Sequence, residues 1–204
     1  MNDFYAYASR LRLIRRWSLM RNTQPENDAE HSLQVAMIAH ALAVLARDRY
    51  GRAVEPEHVV TLAVYHDAAE VLTGDLPTPV KYHSEHLREA YGAVEKAASE
   101  KLCAMLPAGE IRDAVAPVLT ERGTDAMRLV KAADRLSAYV HCLEEQRAGN
   151  REFDAAAARI LETIHGLGLP EAEDFLRDCV PAFLLTLDEL NRSETEEEKG
   201  EKQP

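Results

Sequence analysis

Cysteine is scarce in this 204-residue chain. Cys103, Cys142 and Cys179 are an odd number without metal-ligand spacing, which argues against a disulfide framework and fits a reducing, cytoplasmic setting. Cations are short as well: 24 Lys+Arg stand against 35 Asp+Glu, a formal net charge of −11. That deficit excludes broad binding to a nucleic-acid polymer, which needs clustered positive charge for phosphate contacts. A small phosphorylated substrate is still admissible, because it needs only one local cation or a metal. No apolar run approaches the roughly 20 residues of a membrane helix. The start, Met1-Asn2-Asp3-Phe4-Tyr5, lacks the basic stretch and apolar core of a signal peptide. No membrane partner is expected. Alternating strand patterns and repeats of 20–50 residues are missing too.

What is present is a core-forming composition, 46% hydrophobic and 29% charged. It suits a single domain over residues 1–190. The end of the chain, 191–204, contains Ser193-Glu194-Thr195-Glu196-Glu197-Glu198-Lys199 and reads as an acidic, disordered tail. Apolar residues recur at steps of three and four, so the expected fold is all-α, a compact orthogonal bundle. Leu33, Met37, Ala41, Val44 and Leu45 mark one face of a helix from Glu30 to Arg49, with Asp28 as N-cap and Gly51 as its end. A second helix starts near Pro56 and runs to Gly74. Gly74-Asp75-Leu76-Pro77-Thr78-Pro79 cannot be helical and reads as a loop. Further helices are expected at Phe4–Ile14, Glu85–Leu106, Ala108–Leu119, Asp125–Ala148, Glu152–Leu167 and Ala172–Leu190. The stripes Leu33/Met37/Ala41 and Leu129/Leu136/Val140 are expected in the core.

Chemistry concentrates at His31, His66-Asp67 and Asp134, all polar among helical apolar neighbours. On a helix adjacent residues differ by about 100°, so His66 and Asp67 share a target only if it lies between their directions. A cation fits such a position. An ionised Asp among apolar neighbours is costly without a partner, and a divalent ion is the strongest one available. Two imidazoles and two carboxylates suit Mn, Co, Fe, Zn or Ni. Four protein ligands leave coordination positions for water and a phosphate oxygen, as in a catalytic site. Taken alone, each residue also has a plain reading: Asp134 beside Arg135 as an ion pair, and a lone helical His as surface or core. His40, His58, His83, His86, His141 and His165 receive that plain reading.

Longer segments add a resemblance. Ser9 to Asn22 (Ser-Arg-Leu-Arg-Leu-Ile-Arg-Arg-Trp-Ser-Leu-Met-Arg-Asn), Glu30-His31-Ser32-Leu33-Gln34-Val35-Ala36-Met37, Tyr65 to Tyr82 around His66-Asp67 and Asp75-Leu76-Pro77-Thr78, and Lys131-Ala132-Ala133-Asp134 resemble the HD-domain superfamily of metal-dependent phosphohydrolases. Within it they resemble the bacterial 5'-deoxynucleotidases of the YfbR type, from about residue 4 to about 190. The resemblance implies a compact HD-domain helical bundle in a cytoplasmic homodimer. It implies hydrolysis of deoxyribonucleoside 5'-monophosphates to deoxynucleoside and phosphate by metal-activated water. The ligands of one divalent ion, cobalt, manganese or another, would be His31, His66, Asp67 and Asp134. Arg16 and Trp17 would contact the substrate, with Arg16 orienting the phosphate through its planar fork. Asp75, Leu76, Pro77 and Thr78 would line the other side of the nucleotide, next to Asp67 and Asp134.

Glu70, three residues after Asp67, reads either as a proton carrier or as a hydrogen-bond partner that orients His66. Asp75 reads as an acid or as an acceptor for a sugar hydroxyl. Lys81 reads as an exposed lysine or as charge near the phosphate. Trp17, the single tryptophan, taken in isolation reads as a partly buried core residue. Its place next to Arg16 and ahead of a polar loop favours a substrate wall, with apolar crowding that disfavours a ribose 2'-hydroxyl by leaving it unpaired. Two other functions compete. One is an HD-type hydrolase of nucleoside triphosphates, cyclic dinucleotides or alarmones, for which Arg16, Arg21 and Lys81 supply few cations. The other is a non-catalytic metal- or nucleotide-binding module.

Overall fold

In the computed structural model, residues 2–81 and 83–191 are described, the side chains of Thr78 and Pro79 excepted; the expected acidic tail therefore lies outside the described residues. All regular elements among them are helical, and the one extended pairing is an isolated antiparallel bridge between Arg15 and Asn27. The helices are α1 (Phe4–Ala8), α2 (Asp28–Asp48), α3 (Pro56–Tyr65), α4 (Glu70–Thr73), α5 (Thr78–Lys81), α6 (Glu85–Met105), α7 (Glu110–Thr120), α8 (Asp125–Arg147), α9 (Asp154–His165) and α10 (Pro170–Asp178). The all-α expectation holds.

The centre of the molecule is α2, packed on α3 and α8. Its buried face is Val35, Ile38, Ala39, Leu42, Ala43 and Ala46, against Val59, Leu62 and Ala63 of α3 and Leu129, Ala132, Ala133, Leu136 and Val140 of α8. Burying each leucine contributes roughly 2 kcal/mol. The stripe chosen from sequence is corrected here: Leu33 is 63% and Met37 61% exposed. α2 is apolar on two faces, and the alanine-rich one is inside because small side chains let three helices approach closely. The Leu129/Leu136/Val140 stripe is buried as expected. The expectation that no run approaches a membrane helix also needs correction. α2 has that length and a mean hydropathy of 1.3, although half of that stretch is buried against its neighbours. Its apolar character belongs to a core helix.

Several boundaries differ for local reasons. Asn27, not Asp28, caps α2: its side-chain oxygen accepts from the N–H groups of Ala29 and Glu30, both at 3.1 Å. Asp28 becomes the first helical residue and is completely buried. The expected helix from Pro56 to Gly74 is interrupted after Tyr65 by a turn over 66–69, closed by Ala68 N–H to Tyr65 O at 3.1 Å and Glu70 N–H to Asp67 O at 2.9 Å. Gly74 at φ 72 ends α4 in a conformation that glycine takes without penalty. Pro79 sits in the first turn of α5, where its missing N–H costs nothing, so part of the expected loop is helical. The Phe4–Ile14 and Ala172–Leu190 helices are each shorter. α1 passes into a 3-10 turn at Ser9–Leu13, and α10 stops before Pro181, giving a 3-10 turn at Val180–Leu184 and a last helical turn at 187–191.

Candidate active site

Three segments converge beside the core: the first turn of α2 with the loop before it, the 66–70 turn, and the middle of α8. The turn after α3 corrects the helical geometry assumed for His66-Asp67. The two residues reach one point because the backbone tightens there. His66 Nδ1 lies 2.8 Å from Ala63 O. The Nδ1 proton is therefore given to that carbonyl, which turns Nε2 inward. His31, fully buried, is fixed likewise. Ser137 Oγ donates to Gln34 Oε1 at 2.5 Å and so accepts from His31 Nδ1 at 3.1 Å. Both imidazoles present Nε2 to the same space.

Carboxylates meet them there. His31 Nε2 is 3.0 Å from Asp134 Oδ1 and 3.8 Å from Asp67 Oδ2, and His66 Nε2 is 3.0 Å from Asp67 Oδ2. Nε2 of His66 is buried and makes no hydrogen bond, although Asp67 stands that near. Lone-pair atoms 3.0 Å apart repel unless a cation or a proton lies among them. For an ion about 2.1 Å from each ligand, neighbouring ligand atoms at right angles are about 3.0 Å apart. The donor set therefore fits divalent-ion ligation. His31, His66 and Asp134 offer ligand atoms all within 4.8 Å of one another, as do Asp28, Asp67 and Glu70.

Electrostatics sharpen the picture. Burial would lower the His66 imidazole, but the Asp67 carboxylate pushes it up to about 9. Burial would raise Asp134, yet its bond to His31 and the charges of His31, His66 and Arg16 hold it well below the carboxylate range. Glu70 goes the other way: burial first, then Asp67 and Asp28, push it up to about 10. Asp28 is raised to about 6, mainly by burial. Asp75 is raised by burial and faces the same charges, Arg16 and Asp67. Arg16 stays charged against the cost of its own burial because Asp134, Asp67, Glu26 and Asp75 surround it.

Arg16 and Trp17 lie on the loop closed by the Arg15–Asn27 bridge. Arg16 Nη1 is 3.5 Å from Asp67 Oδ2 and 3.8 Å from Asp28 Oδ1. Trp17 stacks on His141 with centroids 5.5 Å apart and meets Phe153 edge-on at 5.3 Å. The far end of the loop is held from α8 by Glu145, 1% exposed, which accepts from the N–H groups of Thr23 and Gln24 and from Asn150 Nδ2. Those bonds outweigh burial and bring the carboxylate down to about 2. Leu76 and Pro77 are half-buried between Gly74 and α5, while the Thr78 side chain lies outside the described set. Lys81 is tied to Glu95 at 2.7 Å and lies over the Tyr91 ring.

Of the two sequence readings of Glu70, the one that orients His66 finds no counterpart, since the Ala63 carbonyl holds that ring. His141 is more than a plain core histidine because it backs the indole. Glu26 and Ser137 escaped the sequence reading, and Asp28 was read there only as a helix cap. Nothing in Pro25-Glu26-Asn27-Asp28 marks Glu26 or Asp28 for the site, which the fold of that loop onto α2 creates, and Ser137 reaches His31 only through the packing of α8 on α2.

Comparison with known proteins now bears on this arrangement. The profile of the 5'-deoxynucleotidase YfbR-like family matches residues 3–183. The chain belongs to this family. It is 51% identical over 193 residues to the 5'-deoxynucleotidase of Cronobacter sakazakii, covering 94% of this chain and 96% of that one. It is 49% identical to the 5'-deoxynucleotidase YfbR of Escherichia coli over the same length, again covering 94% and 96%. A crystal structure of an HD-domain phosphohydrolase from Listeria innocua superposes with a TM-score of 0.77, at 24% identity, over 91% of this chain and 90% of that one. The helical arrangement of this family member is thus the HD-domain bundle.

Proposed function

We propose that this chain hydrolyses deoxyribonucleoside 5'-monophosphates to deoxynucleosides and inorganic phosphate, with His31, His66, Asp67 and Asp134 as ligands of one divalent ion. The observation that carries the reading is the approach of Asp134 Oδ1 to His31 Nε2 at 3.0 Å and of Asp67 Oδ2 to the Nε2 atoms of His66 and His31 at 3.0 and 3.8 Å, with the Arg16 guanidinium 3.5 Å from Asp67. Identity near 50% over almost the whole chain to curated 5'-deoxynucleotidases supports it. When bound, a divalent ion of this class neutralises phosphate charge and lowers the pKa of water.

The chain's own residues do the rest. Arg16 pairs with phosphate oxygens through its planar fork and holds phosphorus in line with the departing 5'-oxygen. Glu70, kept protonated by burial and by Asp67 and Asp28, gives a proton to that oxygen as the P–O bond breaks. Asp75 accepts a sugar hydroxyl or assists as an acid. Trp17, Leu76, Pro77 and Thr78 line the nucleoside, the first backed by His141 and Phe153. Crowding against the sugar disfavours a 2'-hydroxyl, which would be buried without a partner. Cobalt and manganese both suit the N/O donor set. The protein acts in the cytoplasm as a homodimer, and the exposed Leu33 and Met37 of α2 supply an apolar face for pairing.

The test is a panel of nucleotides assayed for product. Deoxynucleoside 5'-monophosphates should release inorganic phosphate at least tenfold faster than the matching ribonucleotides, and triphosphates should release neither pyrophosphate nor triphosphate. Pyrophosphate or triphosphate as the main product would instead establish the triphosphate hydrolase reading.

A further inference from the structure

We infer that Glu26 is the positioning residue of the nucleotide site, a single carboxylate that sets both the guanidinium of Arg16 and the indole of Trp17. The inference rests on the reading of that pair as the substrate-contacting residues. Both donors converge on one atom: Glu26 Oε2 accepts from Arg16 Nε at 3.2 Å and from Trp17 Nε1 at 3.1 Å. The carboxylate is 11% exposed, so both bonds are largely shielded from water. The backbone joins the same two segments, with the Arg16 N–H donating to Glu26 O at 3.1 Å beside the Arg15–Asn27 bridge.

The geometry assigns each bond a consequence. With Nε held by Glu26, the terminal nitrogens of Arg16 are turned toward the carboxylate cluster, where Nη1 lies 3.5 Å from Asp67. That is the end of the fork a phosphate would meet. Trp17 is the non-glycine residue found at positive φ, 56°, a conformation that L side chains rarely adopt. A strained residue persists only where its surroundings hold it. Here the indole N–H is held by Glu26, and the ring stacks on His141 and meets Phe153 edge-on. Glu26 Oε1 also stands 3.4 Å from His31 Nδ1. Ser137 already accepts that proton at 3.1 Å, so the role of Glu26 toward His31 is secondary.

The experiment uses the full-length, metal-loaded protein and reads two independent signals. Trp17 is the sole tryptophan, so intrinsic emission reports on its indole alone. Glu26→Ala should raise KM for a deoxynucleoside 5'-monophosphate about 10- to 100-fold, the range for losing hydrogen bonds to a charged group. Its kcat should fall by less than KM rises, because Arg16 also aligns the phosphate; bound metal should be unchanged, and Trp17 emission should shift to the red. Glu26→Gln keeps an acceptor at the same place and should restore KM to within about threefold and emission to the original. Glu26→Asp, one methylene shorter, cannot span both donors and should behave as the alanine variant does. Unchanged KM and emission in the alanine and aspartate variants would overturn the proposal. So would a fall in kcat and bound metal together at constant KM, which would place Glu26 in the service of His31. Should the alanine variant not fold, the Gln and Asp pair decides alone, and a Gln variant as impaired as Asp would overturn the proposal. Arg16→Ala separates the two levels: an unchanged KM there contradicts the substrate reading, while the emission arm still decides whether Glu26 holds the indole.

Discussion

Asp67→Ala should lower phosphate release from a deoxynucleoside 5'-monophosphate by at least about 10³-fold and remove the bound divalent ion. Loss of a residue that merely orients a ligand costs about 10- to 100-fold in metal affinity or activity, and Asp67 stands closer to the chemistry than that. It lies 3.0 Å from His66 Nε2, 3.8 Å from His31 Nε2 and 3.5 Å from Arg16 Nη1. Its loss would leave His66 Nε2 facing a void, and Arg16 would turn toward Asp28 and Asp134. Folding should survive, because the site borders the core without supplying its apolar contacts. Metal analysis and a phosphate assay on the folded variant check this. Retained metal with near-normal turnover would remove Asp67 from the ligand set and contradict the proposed site.

The second large effect belongs to Glu70. Glu70→Gln keeps shape and burial but cannot carry a proton, and kcat should fall about 10²- to 10⁴-fold, the usual worth of a positioned acid or base. KM should change by less than about threefold and the bound metal should remain. Steady-state kinetics on the metal-loaded variant separate this from Asp67→Ala, where metal and turnover vanish together. The reason to expect so clean a separation is structural. Glu70 makes no hydrogen bond to His66, whose ring is held by Ala63 O; its carboxyl lies instead beside Asp28 and Asp67, and burial together with those two groups keeps it protonated. A Gln variant with kcat within tenfold of the original would remove Glu70 from the proton path.

How much of this was legible in the sequence depends on the residue. Helical periodicity located α6 and α8 almost to the residue, because Ser84 and Thr124 cap them with side-chain bonds to Leu87 and Met127. Periodicity misjudged α2, since two apolar faces compete there and only the neighbouring helices decide which is buried. It also ran α3 through His66, because no proline or glycine marks the turn at 66–69. The spacing of His31, His66, Asp67 and Asp134 suggested a metal site, but residues up to 103 apart meet only through packing of α2 on α8. Glu26 was unreadable for the same reason: its partners are set by how the loop doubles back, which leaves no pattern in the composition.

Metal dependence follows from charge as well as from ligand geometry. Glu26, Asp28, Asp67, Asp75 and Asp134 surround Arg16, with two imidazoles beside them. A phosphate dianion entering such a place meets repulsion unless a divalent cation offsets it. The most direct measurement is therefore phosphate release from a deoxynucleoside 5'-monophosphate by the chelated protein, before and after one equivalent of cobalt or manganese is returned. Turnover should be undetectable in the stripped protein and recover with the added ion. Undiminished turnover by protein shown to hold no metal would contradict the account at its root.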